Sequence, residues 1–218
     1  MKLQTKVSLL IAGIFAVVLG WLLAAAGRDD EPDAPPGSSA ANERIVREDS
    51  HVLGEEGSSE VVLVEFLDFE CEGCRAAYPI VEGLREEYAG QVTFVARYFP
   101  LPGHFNAERA ARAVESAARQ GEFEAMYQRM FETQAQWGEQ QTPADDLFRQ
   151  YAVDLGLDME QYDSDYASKE VADRVQRDVD DGLALGVQGT PTFFLNGERF
   201  EPSSVQDFNT AIDAALAE

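Results

Sequence analysis

The sequence predicts an α/β domain with the order β-α-β, a helical block, and then β-β-α. Three observations lead to this prediction. A nearly continuous apolar run from Val61 to Phe69 is followed directly by a helical pattern. From Asn106, apolar residues recur at helical spacing for roughly eighty residues. A strand pattern returns at Thr192, followed by a turn and one more helix. The helical block therefore separates two strand-containing parts of one domain.

The first strand and helix are the centre of this prediction. The run from Val61 to Phe69 is rich in β-branched and aromatic residues and is too short for a membrane helix, which favours a central strand covered on both faces. A second core strand, Gln91 to Phe99, should pair with it in parallel. The helix between them should stop near Gly90, and its apolar positions are Ala77, Ile80, Val81, Leu84 and Tyr88.

The later elements follow from similar patterns. Asn196-Gly197 lies between two short strand segments and is a strong hairpin signal. Pro202 and Ser203 precede the apolar pattern of a C-terminal helix. The apolar stripes of the helical block are typical of core-facing helices, and they lie before Gly121, between Phe123 and Phe131, from Thr142 to Leu155, and from Glu170 to Leu185.

The first 27 residues predict a segment for membrane anchoring or export. Lys2 and Lys6 precede an uncharged stretch, residues 7–26, which as a helix would span roughly 30 Å of hydrocarbon. Basic residues before the stretch and acidic residues 29–31 after it predict that the rest of the chain lies outside the cytoplasm. We expect a retained single-pass transmembrane helix. Cleavage after the small residues 24–26, as in a signal peptide, is the alternative.

The next segment, residues 28–43, is expected to be a disordered tether. It contains Pro32, Pro35 and Pro36 together with a Gly-Ser-Ser run, and it has no apolar period. The folded domain should then cover residues 44–218, with a short edge strand between Arg44 and Leu53.

The composition limits the classes of partner. The net charge is −23, with 40 acidic residues against 17 basic ones, so nucleic acid is not an expected partner. A hydrophobic content of 45% is ample for a globular core. The acidic surface is typical either of proteins from a high-salt setting or of a strong compositional bias, and the sequence does not separate these two.

The two cysteines, Cys71 and Cys74, form a Cys-x-x-C pair at the junction between the first strand and its helix. Unpaired N–H groups and the helix dipole stabilise a thiolate at a helix N-terminus, and the thiolate is the reactive form of cysteine. Cys74, one turn further along, should be more buried. The spacing suits a dithiol that forms and resolves mixed disulfides.

A Cys-x-x-C pair has two other interpretations. A Cys-x-x-C pair can be half of a zinc site, but this sequence has no further cysteine and only His51 and His104 as histidines. A purely structural disulfide would close too small a loop to stabilise the fold much. We therefore expect neither a metal nor another cofactor.

Three longer segments extend the pattern beyond the cysteines. They are EFLDFECEGC (65–74), RYFPLPGHFNAERAARAVESA (97–117) with QGEFEAMYQRMF (120–131), and GVQGTPTFFLNGERF (186–200). Together with the element order, they resemble the DsbA-like family of extracytoplasmic thiol-disulfide oxidoreductases from about Ile45 to Leu216. The resemblance implies a thioredoxin fold with a helical insertion at about residues 105–185.

The resemblance also implies roles for individual residues. Cys71 and Cys74 match the nucleophilic and resolving cysteines of the family. Thr190-Pro191 matches a loop in which a cis-proline faces the disulfide and the preceding backbone pairs with a bound substrate strand. Glu65 falls where the fold often has a buried acid, which would accept the proton of Cys74. The alternative for Glu65 is an exposed glutamate at the end of the strand.

The dipeptide between the cysteines departs from the family pattern. Family members usually have proline directly after the first cysteine, whereas this chain has Glu72-Gly73, with Glu70 also adjacent. Both glutamates are expected to face water beside Cys71. Since like charges oppose a thiolate, the pKa of Cys71 is expected to shift little or upward.

The leading functional hypothesis is a membrane-anchored oxidoreductase that donates disulfides to exported proteins. Such an enzyme would need a membrane or extracytoplasmic redox partner that recycles it, and we expect it to be a monomer. A thiol reductase or isomerase is one alternative. A redox-inactive peptide-binding or metal-binding module is another.

Overall fold

The structure is a computed structural model that describes residues 39–218, with side chains from residue 41. These residues form a five-stranded sheet with the order β1-β3-β2-β4-β5. The strands are β1 (His51–Val52), β2 (Val62–Leu67), β3 (Thr93–Tyr98), β4 (Thr192–Leu195) and β5 (Glu198–Phe200). The helices are α1 (Ser39–Ile45), α2 (Glu72–Glu87), α3 (Ala107–Ala118), α4 (Phe123–Thr133), α5 (Asp145–Asp154), α6 (Met159–Ala167), α7 (Lys169–Ala184) and α8 (Val205–Leu216).

Strand β2 is the centre of the sheet. It pairs in parallel with β3 and antiparallel with β4, so that Glu65 lies opposite Ala96 on one side and Phe193 on the other. Five of its six residues are buried, as the nearly continuous apolar run predicted. The predicted β-α-β unit, helical block and β-β-α unit are therefore confirmed.

The two faces of the sheet contribute to separate cores. The larger core contains Leu63, Leu67 and Phe94 from the sheet, and it packs against α2, α8 and the helical block. The smaller core contains Phe66, Val95 and Phe194 together with Ile45 of α1 and residues of α7. Helices thus cover both faces, which explains why β2 shows no polar alternation.

The helical block contains one helix that the sequence patterns did not indicate. Helix α6 buries Tyr162 and Asp165, and its N-cap Asp158 accepts hydrogen bonds from the backbone N–H groups of Glu160 and Gln161. The other helices begin and end within a few residues of the predicted stripes. Helix α7 is the longest of the block and packs against β3.

The N-terminal boundary differs from the prediction. Helix α1 begins at Ser39, inside the segment 28–43 that was predicted to be a disordered tether, and Ala41 and Ile45 are buried. The buried Arg97 of β3 donates hydrogen bonds to the carbonyl oxygens of Arg44 and Ile45 at 2.7 Å each. These bonds satisfy C-terminal carbonyls of α1, so the folded part extends further toward the N-terminus than its composition indicated.

The predicted membrane anchor and most of the predicted tether lie outside the described residues. Among residues 39–218, no helix is both long enough and apolar enough to cross a bilayer. The single-pass helix over residues 7–26 therefore stays a prediction from the sequence.

Gly182 allows α7 to approach the sheet closely. A Cβ atom at this position would lie 2.7 Å from two ring carbons of Phe99 and 3.2 Å from Phe66. Because overpacking a filled core costs roughly 1–3 kcal/mol, we expect Gly182→Ala to lower the free energy of unfolding by about that amount in urea titrations.

The matched control is Gly83→Ala, since Gly83 is also a helical glycine but has no heavy atom within 4 Å of a Cβ. Removing glycine from an open helical position should stabilise the protein by roughly 0.5–1 kcal/mol. Equal effects of the two substitutions would show that the approach of α7 to Phe99 does not limit the packing.

Candidate active site

Cys71 lies where β2 ends and α2 begins. It is the N-cap residue of α2, with an extended backbone (φ −71°, ψ 125°), and its side chain is half-buried. Cys74, one turn into the helix, is fully buried. Both are free thiols in this structure. The two positions agree with the exposed and buried arrangement that the sequence predicted.

The loop before β4 lies against the cysteine pair. The Thr190-Pro191 peptide bond is cis, as the family resemblance implied. The Cys71 thiol donates to the carbonyl oxygen of Thr190 at 3.3 Å. A Cβ atom at Gly73 would lie 3.2 Å from Pro191 Cδ and 3.4 Å from Cys71 Sγ. The lack of a side chain at Gly73 therefore allows the proline loop to reach the first turn of α2.

The pKa of Cys71 is lowered to about 5. The largest cause is a hydrogen bond from the Cys74 thiol, and burial opposes it. Thr190 and the backbone N–H groups of Cys74 and Gly73 lower the pKa further. These two N–H groups belong to the first turn of α2, where the helix N-terminus favours an anion.

The expectation of a small or upward shift at Cys71 is therefore wrong. Glu72 is exposed to solvent, where its charge is screened, whereas the hydrogen bonds to the sulfur are direct. By contrast, burial raises the pKa of Cys74 well above its ordinary value. At neutral pH one sulfur of the pair is an anion and the other remains a protonated thiol.

Glu65 is buried in β2 with 4% of its surface exposed, so the alternative of an exposed glutamate is wrong. Neither of its carboxyl oxygens has a hydrogen-bond partner among the described residues. Burial, followed by the negative charges of Cys71 and Glu82, raises its pKa to about 8. The charge of Glu65 in turn raises the pKa of Cys74, so the protonation of this carboxyl group and that of the buried thiol are coupled.

Glu70 does not face water beside Cys71, contrary to the expectation from sequence. It is 1% exposed, and its carboxylate accepts hydrogen bonds from the backbone N–H groups of Asn106 at 2.5 Å and Glu139 at 3.0 Å. Burial raises its pKa, and these two bonds oppose the rise. The residue therefore fixes the turn before α2 to the helical block.

Three more polar side chains hold this turn, and the sequence patterns did not single them out. The Asp68 carboxylate accepts from the backbone N–H groups of Glu70 and Leu101 and from His104 Nδ1 at 2.6 Å. The Gln134 side-chain amide donates to the carbonyl oxygens of Phe69 and Cys71 at 2.7 and 2.9 Å. Asp68 and His104 lie within the family-like segments, whereas no signal in the sequence pointed to Gln134.

Between residues 39 and 218, no three His, Cys, Asp or Glu side chains are grouped so that they could hold a metal ion. The groups that meet at the junction are a stabilised thiolate, a buried thiol, a buried unpaired carboxyl group and a cis-proline loop. This set can carry out nucleophilic attack on a disulfide and resolution of the product.

Comparisons with known proteins agree with this chemistry. A family described as "Thioredoxin" matches residues 47–214. The chain is similar to a thioredoxin-like oxidoreductase from Silicibacter pomeroyi DSS-3, with 28% identity, a TM-score of 0.66, and coverage of 81% of this chain and 98% of that one.

Two further solved structures share the fold at lower identity. Wolbachia pipientis α-DsbA1 has a TM-score of 0.72 at 17% identity, covering 82% of this chain and 96% of its own. Bacillus subtilis BdbD has a TM-score of 0.69 at 22% identity, covering 78% of this chain and 94% of its own. At these identities the likeness concerns the fold.

Relatives by sequence include much longer proteins. A protein named Na(+)/H(+) antiporter NhaA 1 from Mycobacterium sp. strain KMS is 36% identical over 202 residues, which are 90% of this chain and 31% of that protein. The chain thus spans about a third of the length of these curated relatives. Since the thioredoxin match covers most of the chain, the chain belongs to the thioredoxin family, and its structure is a DsbA-like form of the fold.

Proposed function

We propose that this protein donates disulfides to exported proteins through a Cys71–Cys74 redox pair. The observation that supports this most directly is the contrast between the two sulfurs. Cys71 is a half-buried thiolate at a helix N-terminus with a pKa of about 5, and Cys74 is a buried thiol whose pKa is raised. A pair of this kind favours the reduced state, which makes its disulfide a good oxidant.

The exchange is proposed to proceed in two steps. A substrate thiolate attacks the Cys71 sulfur of the oxidised pair, which breaks the Cys71–Cys74 bond and forms a mixed disulfide. The leaving Cys74 sulfur takes a proton and becomes a thiol. The second thiolate of the same substrate then attacks the substrate sulfur that is bonded to Cys71. The mixed disulfide breaks, and Cys71 leaves as a thiolate. Two electrons pass from the substrate dithiol to the cysteine pair, and the substrate gains one disulfide.

Thr190 and Pro191 are proposed to bind the substrate backbone. Their peptide bond is cis, and the Thr190 carbonyl oxygen lies 3.3 Å from Cys71 Sγ. An extended substrate segment could therefore form backbone hydrogen bonds next to the reacting bond. Gly73 leaves this approach open.

Glu65 is proposed to exchange a proton with Cys74. A carboxyl group that is buried without partners and has a pKa of about 8 can hold or release a proton near neutral pH. It could supply the proton that Cys74 needs when the disulfide opens. It could accept that proton when Cys74 attacks the sulfur of Cys71 in the reverse direction.

The location proposed for the domain is the extracytoplasmic side of the membrane. Residues 7–26 would serve as a single-pass anchor, with the charges around them favouring a cytoplasmic N-terminus. An oxidising compartment suits a disulfide donor. After each cycle the reduced pair would require a membrane or extracytoplasmic partner that reoxidises it, and we propose that the protein acts as a monomer.

The roles of the two cysteines can be tested by alkylation. We expect the rate of iodoacetamide labelling at Cys71 to rise through a midpoint near pH 5 and then to level off, because the thiolate is the nucleophile. Cys74→Ala should accumulate mixed disulfides with scrambled, disulfide-containing ribonuclease, because its Cys71 thiolate displaces one ribonuclease sulfur and no Cys74 resolves the product, whereas Cys71→Ala should not. Preferential labelling of Cys74, or trapping through Cys74, would reverse the assignment.

The buried Glu65 predicts a specific dependence of stability on pH. Its folded pKa of about 8 lies above the ordinary value of 4.5, so the folded state retains a proton that the unfolded state loses. Its contribution should therefore lower the free energy of unfolding as the pH rises from about 4.5 to 8, by on the order of 5 kcal/mol, and stay constant above that range. Urea titrations of Glu65→Gln should lack this loss.

The control for Glu65 is Glu60→Gln, an exposed glutamate just before the same strand. Its unfolding free energy should follow that of the unchanged protein across the pH range. If Glu65→Gln also followed it, the carboxyl group would be ionised in the folded state and unsuited to proton exchange with Cys74.

The direction of electron flow distinguishes the proposed donor from a reductase. Equilibration with glutathione should give a potential more oxidising than that of the glutathione pair, and the oxidised protein should speed the appearance of native ribonuclease from its reduced form. A potential more reducing than that of glutathione, with reduction of insulin disulfides, would favour the reductase instead. A protein that forms no Cys71–Cys74 disulfide at all would be a binding module.

A further inference from the structure

His104 forms a hydrogen-bonded pair with Asp68 beside the cysteines. The two side chains meet at 2.6 Å, with Asp68 completely buried and the His104 side chain 30% exposed. The Asp68 backbone contacts both cysteine residues, since its carbonyl oxygen accepts from Cys71 N at 3.1 Å and its N–H donates to Cys74 Sγ at 3.4 Å. His104 is therefore connected through a single residue to the backbone of Cys71 and to the sulfur of Cys74.

The charge of His104 responds to that of the cysteine pair. Burial lowers the pKa of His104, but the Asp68 carboxylate outweighs this effect, and the negative charges of Glu70 and Cys71 add to the rise. Electrostatic coupling is reciprocal, so an imidazolium at residue 104 favours the Cys71 thiolate as much as the thiolate favours the imidazolium.

His104 also has access to solvent protons. It lines a groove of about 380 Å³ between the loop after β3 and helix α7. The charged groups that share this groove are Glu108 and Arg109, and α7 contributes Gln176 and apolar side chains. Arg109 is paired with Asp145 at 3.0 Å. Glu70, Glu108 and Arg109 are covalently the same in the oxidised and reduced protein. A difference in the pKa of His104 between these two forms therefore reports the effect of the sulfurs.

We infer that His104, held by Asp68, is a positioning residue for the exchange at Cys71: its protonated ring stabilises the thiolate that leaves when the mixed disulfide opens. The inference rests on the proposed function. When a substrate dithiol reduces the disulfide, it releases two protons, of which Cys74 takes one. The thiolate then favours uptake of the other by His104 in the pH range where the ring titrates.

The first test measures this coupling in the unchanged chain. The chain has two histidines, and His51 is an internal control because it is also paired with a carboxylate, Glu115, at 2.7 Å. Ring titrations by NMR, on the full chain in detergent, compare the disulfide form with the form reduced by a phosphine. We expect the His104 midpoint to lie at higher pH in the reduced form, and the His51 midpoint to be unchanged. Equal midpoints for His104 in the two forms, or parallel shifts of both histidines, would overturn the inference.

The second test uses the matched variants His104→Gln and His51→Gln. Loss of the imidazolium should slow iodoacetamide labelling of Cys71 about twofold near pH 5 and leave it unchanged at pH 8, where the thiolate is fully formed in either case. His51→Gln should match the unchanged protein at both values. If His104→Gln slowed the labelling of Cys71 by the same factor at both pH values, His104 would have a merely structural role and the inference would be contradicted.

Failure of the proposed function has a different signature. A protein that forms no Cys71–Cys74 disulfide with oxidised glutathione would lack the redox pair itself. If the disulfide forms and the His104 midpoint does not depend on it, the pair stands and only the role of His104 is refuted. If His104→Gln does not fold, the NMR comparison of the oxidised and reduced forms of the unchanged chain still tests the inference.

Discussion

The buried turn from Asp68 to Cys71 is the constraint on which the site depends. Here the chain leaves the central strand and enters a helix inside the protein, so its backbone polar groups need partners other than water. Gln134 of the helical block supplies such a partner, and the carboxylates of the turn accept from the backbone N–H groups of Leu101, Asn106 and Glu139. Gln134 alone satisfies two carbonyl groups, those of Phe69 and Cys71. The insertion is therefore the support that holds the reactive cysteine at the head of its helix.

The same constraint explains how an acidic sequence can stabilise a thiolate. Asp68 and Glu70 flank Cys71 in sequence, but their carboxylates are directed to backbone N–H groups of the turn and the insertion. Glu65 lies in the sheet, where burial keeps it protonated up to about pH 8. Each carboxyl group near the sulfur is thus hydrogen-bonded, neutral or exposed to screening solvent, and the direct hydrogen bonds to Cys71 decide the outcome.

Local patterns were sufficient to predict the framework of the fold and the position of the cysteines. The apolar run of β2, the Asn196-Gly197 turn and the helical spacing after Cys74 depend on residues close together in the chain. Helix α1 could not be predicted in this way, because Arg97, which satisfies its carbonyl groups, lies about fifty residues away. Helix α6 was missed since its few buried residues leave a weak apolar period. The prediction that Glu70 faces water was wrong for a similar reason, because its hydrogen-bond partners lie 36 and 69 residues further along the chain.

The dipeptide between the cysteines shows how contact distance outweighs sequence adjacency. Glu72 is next to Cys71 in the chain, yet its side chain is exposed, and a charge in water acts weakly on its neighbours. Gly73 has no side chain, but it donates its N–H toward the sulfur and allows Pro191 to approach it. The effect of this dipeptide on the chemistry therefore comes chiefly from the space that Gly73 leaves for Pro191 beside the sulfur. A residue with a Cβ at position 73 would press on Pro191, 3.2 Å away, whatever its charge.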